Sequence, residues 1–538
     1  MPLPASAVVL LPPPVQERLA RLAHDQRAAA TANPGPVLCV APAGSGKTTT
    51  VVARLAWRVA LGADPSTICA LTFNRRAAEE LQERADAALA ELGWKPGSVR
   101  VRTFHALGRA ILAASGVDVG AIVDRQQVLA TLAGGPLPDS ARRWLDDSFT
   151  RLKLDPERAP PESDVATHEA FAEYEAHLTR IASIDLDDLV ARAPRVLAAD
   201  AELLARWRAR TSILFVDEAQ DLDRTQLDLA ILLAGEERDI FLVGDDDQTI
   251  YAWRLADVRR VLDLAAQLPG LRRVDLETNH RCAPEIVARA SRLVAHNRER
   301  FAKRIRASPK ASGSVVLVPD SGDEVARARW LLTTWAADLL AGPSSGRRAV
   351  LARTNRELVP YAAVALELGI PCRVEDDGLL LDDPELGAVV DRAIALPAPP
   401  LLALRQAAAS TGLDPARTSA LMAWAVEYHD LAAFRDALVA RIGLRDRLLT
   451  EQDALTLATV HGTKGLEWDH VACIGHDEGA FPSGRAISGS SEPERVLEEE
   501  RRLAYVAWTR ARQTLTIVYD PGAPSVFLRE AFDAAELD

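Results

Sequence analysis

At 538 residues the chain exceeds what one hydrophobic core supports, and its length suggests about three or four domains. A hydrophobic content of 48%, the lack of any run of about 18 charge-free apolar residues and a Pro-rich start without a basic leader lead to the expectation of a cytoplasmic chain with no membrane span. Five scattered cysteines without a C-x-x-C speak against a structural zinc, an iron–sulfur cluster or a disulfide framework, and a net charge of −13 speaks against a uniformly basic nucleic-acid binder while leaving room for a locally basic groove.

Val15 to Thr31 reads as a helix carrying Asp25, Gln26 and Arg27, and the Gln26 amide has the donor and the acceptor that an adenine edge requires. Val37 to Val40 is an apolar, β-branched strand that stops at a small, glycine-rich loop, after which a helix is expected over Thr48 to Leu61. The loop and first turn, Ala41, Pro42, Ala43, Gly44, Ser45, Gly46, Lys47, Thr48 and Thr49, match G-x-x-x-x-G-K-[ST] except that Ala41 stands at the first glycine position. Gly44 and Gly46 let backbone amides approach an anion closely, Lys47 adds a point charge, and Thr48 supplies a hydroxyl for Mg2+. This is the pattern of a triphosphate cradle.

The strand Ile68 to Phe73 ends in Thr72, Phe73, Asn74 and Arg75 and feeds a helix whose first turn is basic, against the helix dipole, so an anion is expected there. Phe73 suits stacking on a base, and Thr72, Asn74 and Arg75 suit phosphates. Val99 to Arg102 delivers a second polar and aromatic cluster, Thr103, Phe104 and His105, to the corresponding end. From Ala106 to Arg210 the pattern is helical, broken at 134–136 and 156–161, and reads as an inserted helical domain. Within it the carboxylates of Asp185, Asp187 and Asp188 are expected at a solvated helix start rather than around a metal.

Ile213 to Val216 has the continuous apolar character of a parallel strand buried on both faces, and it ends in Asp217, expected to hold Mg2+, and Glu218, expected to deprotonate an attacking water. Ile240 to Val243 is a further strand of this kind. It leads into Gly244 to Arg254, where Gln248 suits sensing of a γ-phosphate or its water, and Tyr251, Trp253 and Arg254 suit single-stranded nucleic acid, since every base has a π face.

This ordered run resembles the superfamily 1 helicases of the UvrD, PcrA and Rep group. Asp25-Gln26-Arg27 looks like the family's adenine-reading Q motif, Ala41 to Thr48 like motif I, Leu71 to Leu81 like motif Ia and Thr103 to His105 like motif Ib. Val216 to Asp221 is similar to motif II and Val243 to Arg254 to motif III, while Leu276 to Pro284, Ala352 to Asn355, Thr459 to Val471 and Glu498 to Arg512 resemble motifs IV, IVa, V and VI. The resemblance implies an α/β fold with two RecA-like P-loop NTPase motor domains, parallel sheets flanked by helices, and helical insertions. Its implied boundaries are 1–105 and 211–280 for domain 1A, 106–210 for insertion 1B, 281–396 and 450–538 for domain 2A, and 397–449 for a reduced 2B-like insertion.

The implied activity is that of an ATP- and Mg2+-dependent 3′–5′ helicase or translocase on single-stranded and tailed duplex DNA, working with repair or replication proteins. Arg281 and Arg510 would be arginine fingers, Glu467 would contact the ribose, and Arg353, Asn355, His461, Thr463 and Lys464 would contact nucleic acid. His280 stands where the family usually has a tyrosine stacked on adenine, and the smaller imidazole predicts weaker stacking or a relaxed base preference. A translocase that strips proteins without unwinding, and a scaffold that uses ATP only as a switch, are the alternatives. Asn297 to Arg306 reads as a basic helical stretch, either a strand-binding surface or a solvated face, and no nuclease, zinc or docking domain is expected after motif VI.

Overall fold

The computed structural model describes residues 11–537 apart from 136, 162–163, 236–238, 341–345, 375–385, 412, 414–417, 419–420, 423–424, 427 and 449–454. These residues form two units, one running to Thr278 and taking in Glu299–Arg304, the other comprising Asn279–Arg298 and the chain from Ile305 onward.

In the first unit the strands β1 (Val37–Val40), β2 (Ile68–Thr72), β3 (Arg100–Thr103), β4 (Ile213–Val216), β5 (Ile240–Gly244) and β6 (Arg272–Asp275) pair in the order β3-β2-β4-β5-β1-β6, all parallel. β1, β2, β4 and β5 are buried along their whole length, as their apolar runs require. Alternation divides them between two cores: Leu38, Val40, Leu71, Leu214 and Val216 face one layer of helices, and Val37, Cys39, Ala70, Phe215 and Val243 face the other. Because β1, β4 and β5 are parallel neighbours or near neighbours, the segments that leave their carboxyl ends open on one rim.

The helix Phe104–Ala114 and the helices Asp188–Ala191, Ala193–Ala199 and Ala201–Arg210 lay Leu107, Ile111, Val190, Leu197, Leu203 and Trp207 on the first of these layers. Between them in sequence, Val128, Leu129, Phe149, Tyr174 and Leu178 make a small core of their own. A Cβ on Gly108 would lie 1.9 Å from the Leu189 carbonyl oxygen, so two helices touch there backbone to backbone.

The second unit repeats the plan. β7 (Ser314–Pro319), β8 (Arg348–Ala352), β9 (Cys372–Val374), β10 (Leu455–Thr459), β11 (Trp468–Cys473) and β12 (Ala511–Tyr519) pair in the order β9-β10-β8-β11-β12-β7, all parallel. The helices Leu386–Ile394, Pro400–Thr411 and Leu431–Leu448 share one core with β8 and β10 through Val389, Leu404, Ala407, Phe434 and Leu438. All five cysteines are buried thiols. Among the described residues no helix is long and apolar enough to cross a membrane.

Three local expectations are corrected. The helix expected over Val15 to Thr31 is two helices, Pro13–Ala20 and His24–Ala30, because Ala23 is extended and its N–H is taken by the Gln26 side chain at 3.0 Å. Asp185 and Asp188 are not solvated. Their carboxylates are buried against Lys153 at 3.0 Å each, and Asp185 also accepts from Arg125 at 2.8 Å and Tyr174 at 2.8 Å. Asn297 to Arg306 is not helical, since the helix Pro284–Val294 ends before it and the segment runs on without helical structure.

Gly108→Ala is expected to destabilise the first unit by about 3 kcal/mol, the upper range for a forced overpacking, measured by denaturant unfolding. Asp185→Asn should cost about 3 kcal/mol at neutral pH, because Arg125 and Lys153 lose a buried partner. Burial opposes the Asp185 charge, but Arg125 and Lys153 outweigh it and hold the folded pKa below the ordinary 3.8. The stabilisation is therefore present above pH 3.8 and fades as pH falls further, so the gap between wild type and variant should narrow in acid.

Candidate functional site

The loop after β1 is held from below. Ala41 N–H donates to the Gly244 carbonyl at 2.8 Å, and Ala43 N–H donates to Asp245 Oδ2 at 3.1 Å. Ser45 N–H closes the turn on the Pro42 carbonyl at 3.0 Å. Gly44 and Gly46 have φ of 68° and 82°, and Gly46 is the left-handed cap of the helix Lys47–Ala60, whose first amides have no partner within the helix. Pro42 is buried, Thr48 is half-buried and Thr49 exposed on that first turn. Gln26 is buried beside the loop: Nε2 donates to the Ser45 carbonyl at 2.8 Å and Oε1 accepts from Ala23 N–H at 3.0 Å. These two bonds lock its helix to the phosphate loop and use one N–H and one oxygen lone pair of the amide expected to read adenine.

Lys47 Nζ meets Glu218 Oε2 at 3.2 Å. Glu218 sits just past β4 in the left-handed region, at φ 52° and ψ 45°, a conformation costly for a residue with a side chain and frequent at functional sites. Gln220 donates from Nε2 to Glu218 Oε2 at 2.7 Å and accepts at Oε1 from Asp245 N–H at 3.0 Å. Asp245 Oδ2 in turn accepts from Gln248 Nε2 at 2.7 Å. The glycine-rich loop, the Glu218 carboxylate and Gln248 are therefore one hydrogen-bonded set. Thr48, on the first turn after the loop, and Asp217, just past β4, carry a hydroxyl and a carboxylate, hard oxygens of the kind that Mg2+ takes.

Beneath this set lies a cation that sequence reasoning missed. The Lys303 side chain is fully buried, and Nζ donates to Asp245 Oδ1 at 2.6 Å and Asp246 Oδ1 at 2.6 Å and lies 2.8 Å from Asp247 Oδ2. Arg300 makes a two-pronged bond to Asp247, at 3.0 and 2.8 Å, and Phe301 N–H donates to Asp246 Oδ2 at 2.8 Å. Burial works against the Lys303 charge, yet the three carboxylates outweigh it and raise its pKa. The basic stretch expected as a strand-binding or solvated face is, at these two residues, an internal counter-charge. Three consecutive aspartates directly after an apolar strand were the available signal, since buried carboxylates need a cation. Gln220 carried no comparable signal.

The same loop runs on into an aromatic cluster. Phe73 and Tyr251 stack with ring centroids 5.2 Å apart, Trp253 meets Tyr251 edge-on at 6.1 Å, and Arg254 lies 4.6 Å from the Trp253 ring. Trp253 is 61% exposed. Asn74 and Arg75 are exposed, Thr103 and His105 half-buried, while Thr72 is buried with its hydroxyl on the Asn74 carbonyl at 3.1 Å. Burial lowers the His105 pKa, which leaves a neutral ring at neutral pH. Phe104 is corrected: it is 1% exposed in the sheet-facing core and presents no face to a base. Thr103 caps the following helix by accepting from Ala106 N–H, which turns Phe104 inward as the first helical residue.

In the second unit His280 is exposed and Arg281 is paired with Glu467, which also accepts from Arg512 at 2.9 Å. Burial opposes the Glu467 charge, but these guanidinium groups hold its carboxyl below the ordinary value. Arg510 is buried, donating from Nε to the Val506 carbonyl at 3.1 Å and from Nη1 to the Leu466 carbonyl at 3.2 Å. Arg353 is engaged by Glu500 at 2.6 Å, and Thr463 is buried with its hydroxyl on the Val460 carbonyl at 2.7 Å. Asn355, His461 and Lys464 are half-buried.

Residues 22–269 match the model of the UvrD/REP helicase N-terminal domain, and residues 421–521 match that of the UvrD-like helicase C-terminal domain. The chain is 30% identical to the ATP-dependent DNA helicase UvrD2 of Mycobacterium tuberculosis over 93% of its own length and 78% of that protein. It is 25% identical to DNA helicase II of Escherichia coli over 92% of the chain and 84% of that protein. For the ATP-dependent DNA helicase PcrA of Leuconostoc citreum the figures are 27%, 91% and 81%. With a glycine-rich loop, a carboxylate and a glutamine on one rim, and relatives that match over more than nine-tenths of its length, the chain belongs to the UvrD/REP helicase family.

Proposed function

We propose that the protein is an ATP-dependent 3′–5′ DNA helicase or translocase that moves on single-stranded DNA and serves DNA repair or replication. The observation that carries this reading is the continuity of Asp245 to Arg254. One end of the segment bonds the phosphate loop through Asp245, which also holds the Gln248 amide, and the other end supplies Tyr251, Trp253 and Arg254 to the stack on Phe73. A single loop thus joins a nucleotide site to a base-stacking surface. The relatives' names, ATP-dependent DNA helicases, point the same way.

In this reading the phosphates of ATP lie on the loop Ala41–Thr49, and Lys47 exchanges Glu218 for a phosphate oxygen. Glu218, still oriented by Gln220, takes a proton from water as the water oxygen bonds to the γ-phosphorus and the bond to ADP breaks. Thr48 and Asp217 would hold Mg2+, which supplies charge neutralisation to the phosphate oxygens when bound. Arg281 and Arg510 act as arginine fingers, and Gln248 orients the water. Glu467 contacts the ribose. Phe73, Tyr251, Trp253 and Arg254 grip bases, and Asn74, Arg75, Thr103, His105, Asn355, His461 and Lys464 line the strand's path.

ATP hydrolysis should rise on adding oligo-dT. Glu218→Gln should lower kcat by about 10²-fold or more and Arg510→Ala by about 10³-fold, with DNA binding retained in both. Hydrolysis indifferent to DNA would leave the ATP-switched scaffold. In a tailed-duplex assay with Lys47→Ala as the inactive control, unwinding is expected from a 3′ tail and not from a 5′ tail. Displacement of streptavidin from a biotinylated strand without unwinding would instead assign a stripping translocase.

A further inference from the structure

We propose that Lys303 is a positioning residue for ATP turnover and that the short strap carrying it, Glu299–Arg304, links the state of the nucleotide site to the second unit. The inference rests on the reading of the first unit as an ATP site. The strap folds with the first unit, yet the chain on either side of it, through Arg298 and from Ile305, folds with the second. It is tied down at four successive residues: Arg300 to Asp247, Phe301 N–H to Asp246, the Ala302 carbonyl to Arg273 Nη2 at 2.8 Å, and Lys303 to all three aspartates. Only Glu299 and Arg304 separate these anchors from the second unit. A strap with one residue of slack at each end cannot absorb a displacement by bending.

The carboxylate of Asp245 is the point of transfer. Its Oδ2 serves the nucleotide side, accepting from Ala43 N–H and Gln248 Nε2, and its Oδ1 accepts from Lys303. A shift of Gln248 or of the phosphate loop moves a rigid, two-sided group whose other edge is held by the strap. Conversely, three adjacent carboxylates repel one another, and only with Lys303 and Arg300 between them do they keep the geometry that aims Gln248. Lys303 touches neither substrate nor reacting atoms, so its effect is on positioning.

Two kinds of variant test this in the full chain. Lys303→Met should lower kcat for ATP by about 10²-fold with a far smaller change in KM, as expected for a misplaced rather than missing group, and Lys303→Arg should restore part of the loss. Thermal unfolding and oligo-dT affinity without nucleotide report whether the variant is folded. Because Lys303→Met strips a counter-charge from buried aspartates, a second variant leaves the cluster intact and adds slack instead: Gly-Ser-Gly-Ser inserted between Arg298 and Glu299 and between Arg304 and Ile305. It should hydrolyse ATP without DNA at close to the wild-type rate while strand movement, followed by arrival at a fluorescent oligo-dT end, slows about tenfold. Wild-type movement in the slack variant, or wild-type kcat in a folded Lys303→Met, overturns the proposal. Absence of DNA-stimulated hydrolysis in the wild-type protein would instead sink the functional reading beneath it.

Discussion

The Asp245 carboxylate at the end of β5 is the constraint on which the rim of the first unit depends. It caps the underside of the phosphate loop through Ala43, fixes the Gln248 amide and receives the Lys303 ammonium, while its own N–H is taken by Gln220. Each of these partners comes from a different part of the chain, after β1, β4 or β5 or from the strap. A fully buried carboxylate with both oxygens engaged has no alternative orientation of comparable energy, so the segments it joins have one arrangement. Gly244 belongs to the same constraint, because a Cβ there would lie 2.4 Å from Gln220 Oε1.

Most of the sheet of the first unit is legible in the sequence because parallel strands buried on both faces announce themselves as apolar runs, and the chemistry follows them at their carboxyl ends. Phe73 and Phe104 show where that logic stops. Both follow a threonine at the end of a strand, but in Thr72-Phe73-Asn74 the helix is capped by Asn74, whose side chain accepts from Ala77 N–H, and Phe73 is left outside the helix. In Thr103-Phe104-His105 histidine is a poor cap, so Thr103 takes that role and Phe104 enters the first turn facing the core. The difference lies in cap chemistry one residue away, not in the aromatic pattern itself.

Charge clusters were less legible for a different reason. Asp185 finds Arg125 and Lys153, and Asp245–Asp247 find Arg300 and Lys303, across separations in sequence that no local pattern encodes. Each cluster read alone resembles a solvated face. What distinguishes the second is its position: three acids directly after a fully buried strand cannot all reach water. Gln26 illustrates the converse, a residue type suited to an external ligand that also bonds inside the chain, to Ala23 and Ser45.

In the function proposed above, the pair Lys47–Glu218 gives the site an order of events. A carboxylate that holds an ammonium cannot accept a proton without giving up that attraction, so in this arrangement the base is occupied by the residue that also attracts phosphate. A phosphate group that draws Lys47 away leaves Glu218 charged, already oriented by Gln220 and held in a strained backbone that does not have to form during the reaction. Substrate binding and base activation are then one exchange of partners at a single lysine. The same carboxylate, through Gln220 and Asp245, is three hydrogen bonds from Gln248 and three from Lys303, so the proposed base and the proposed phosphate sensor share one rigid frame.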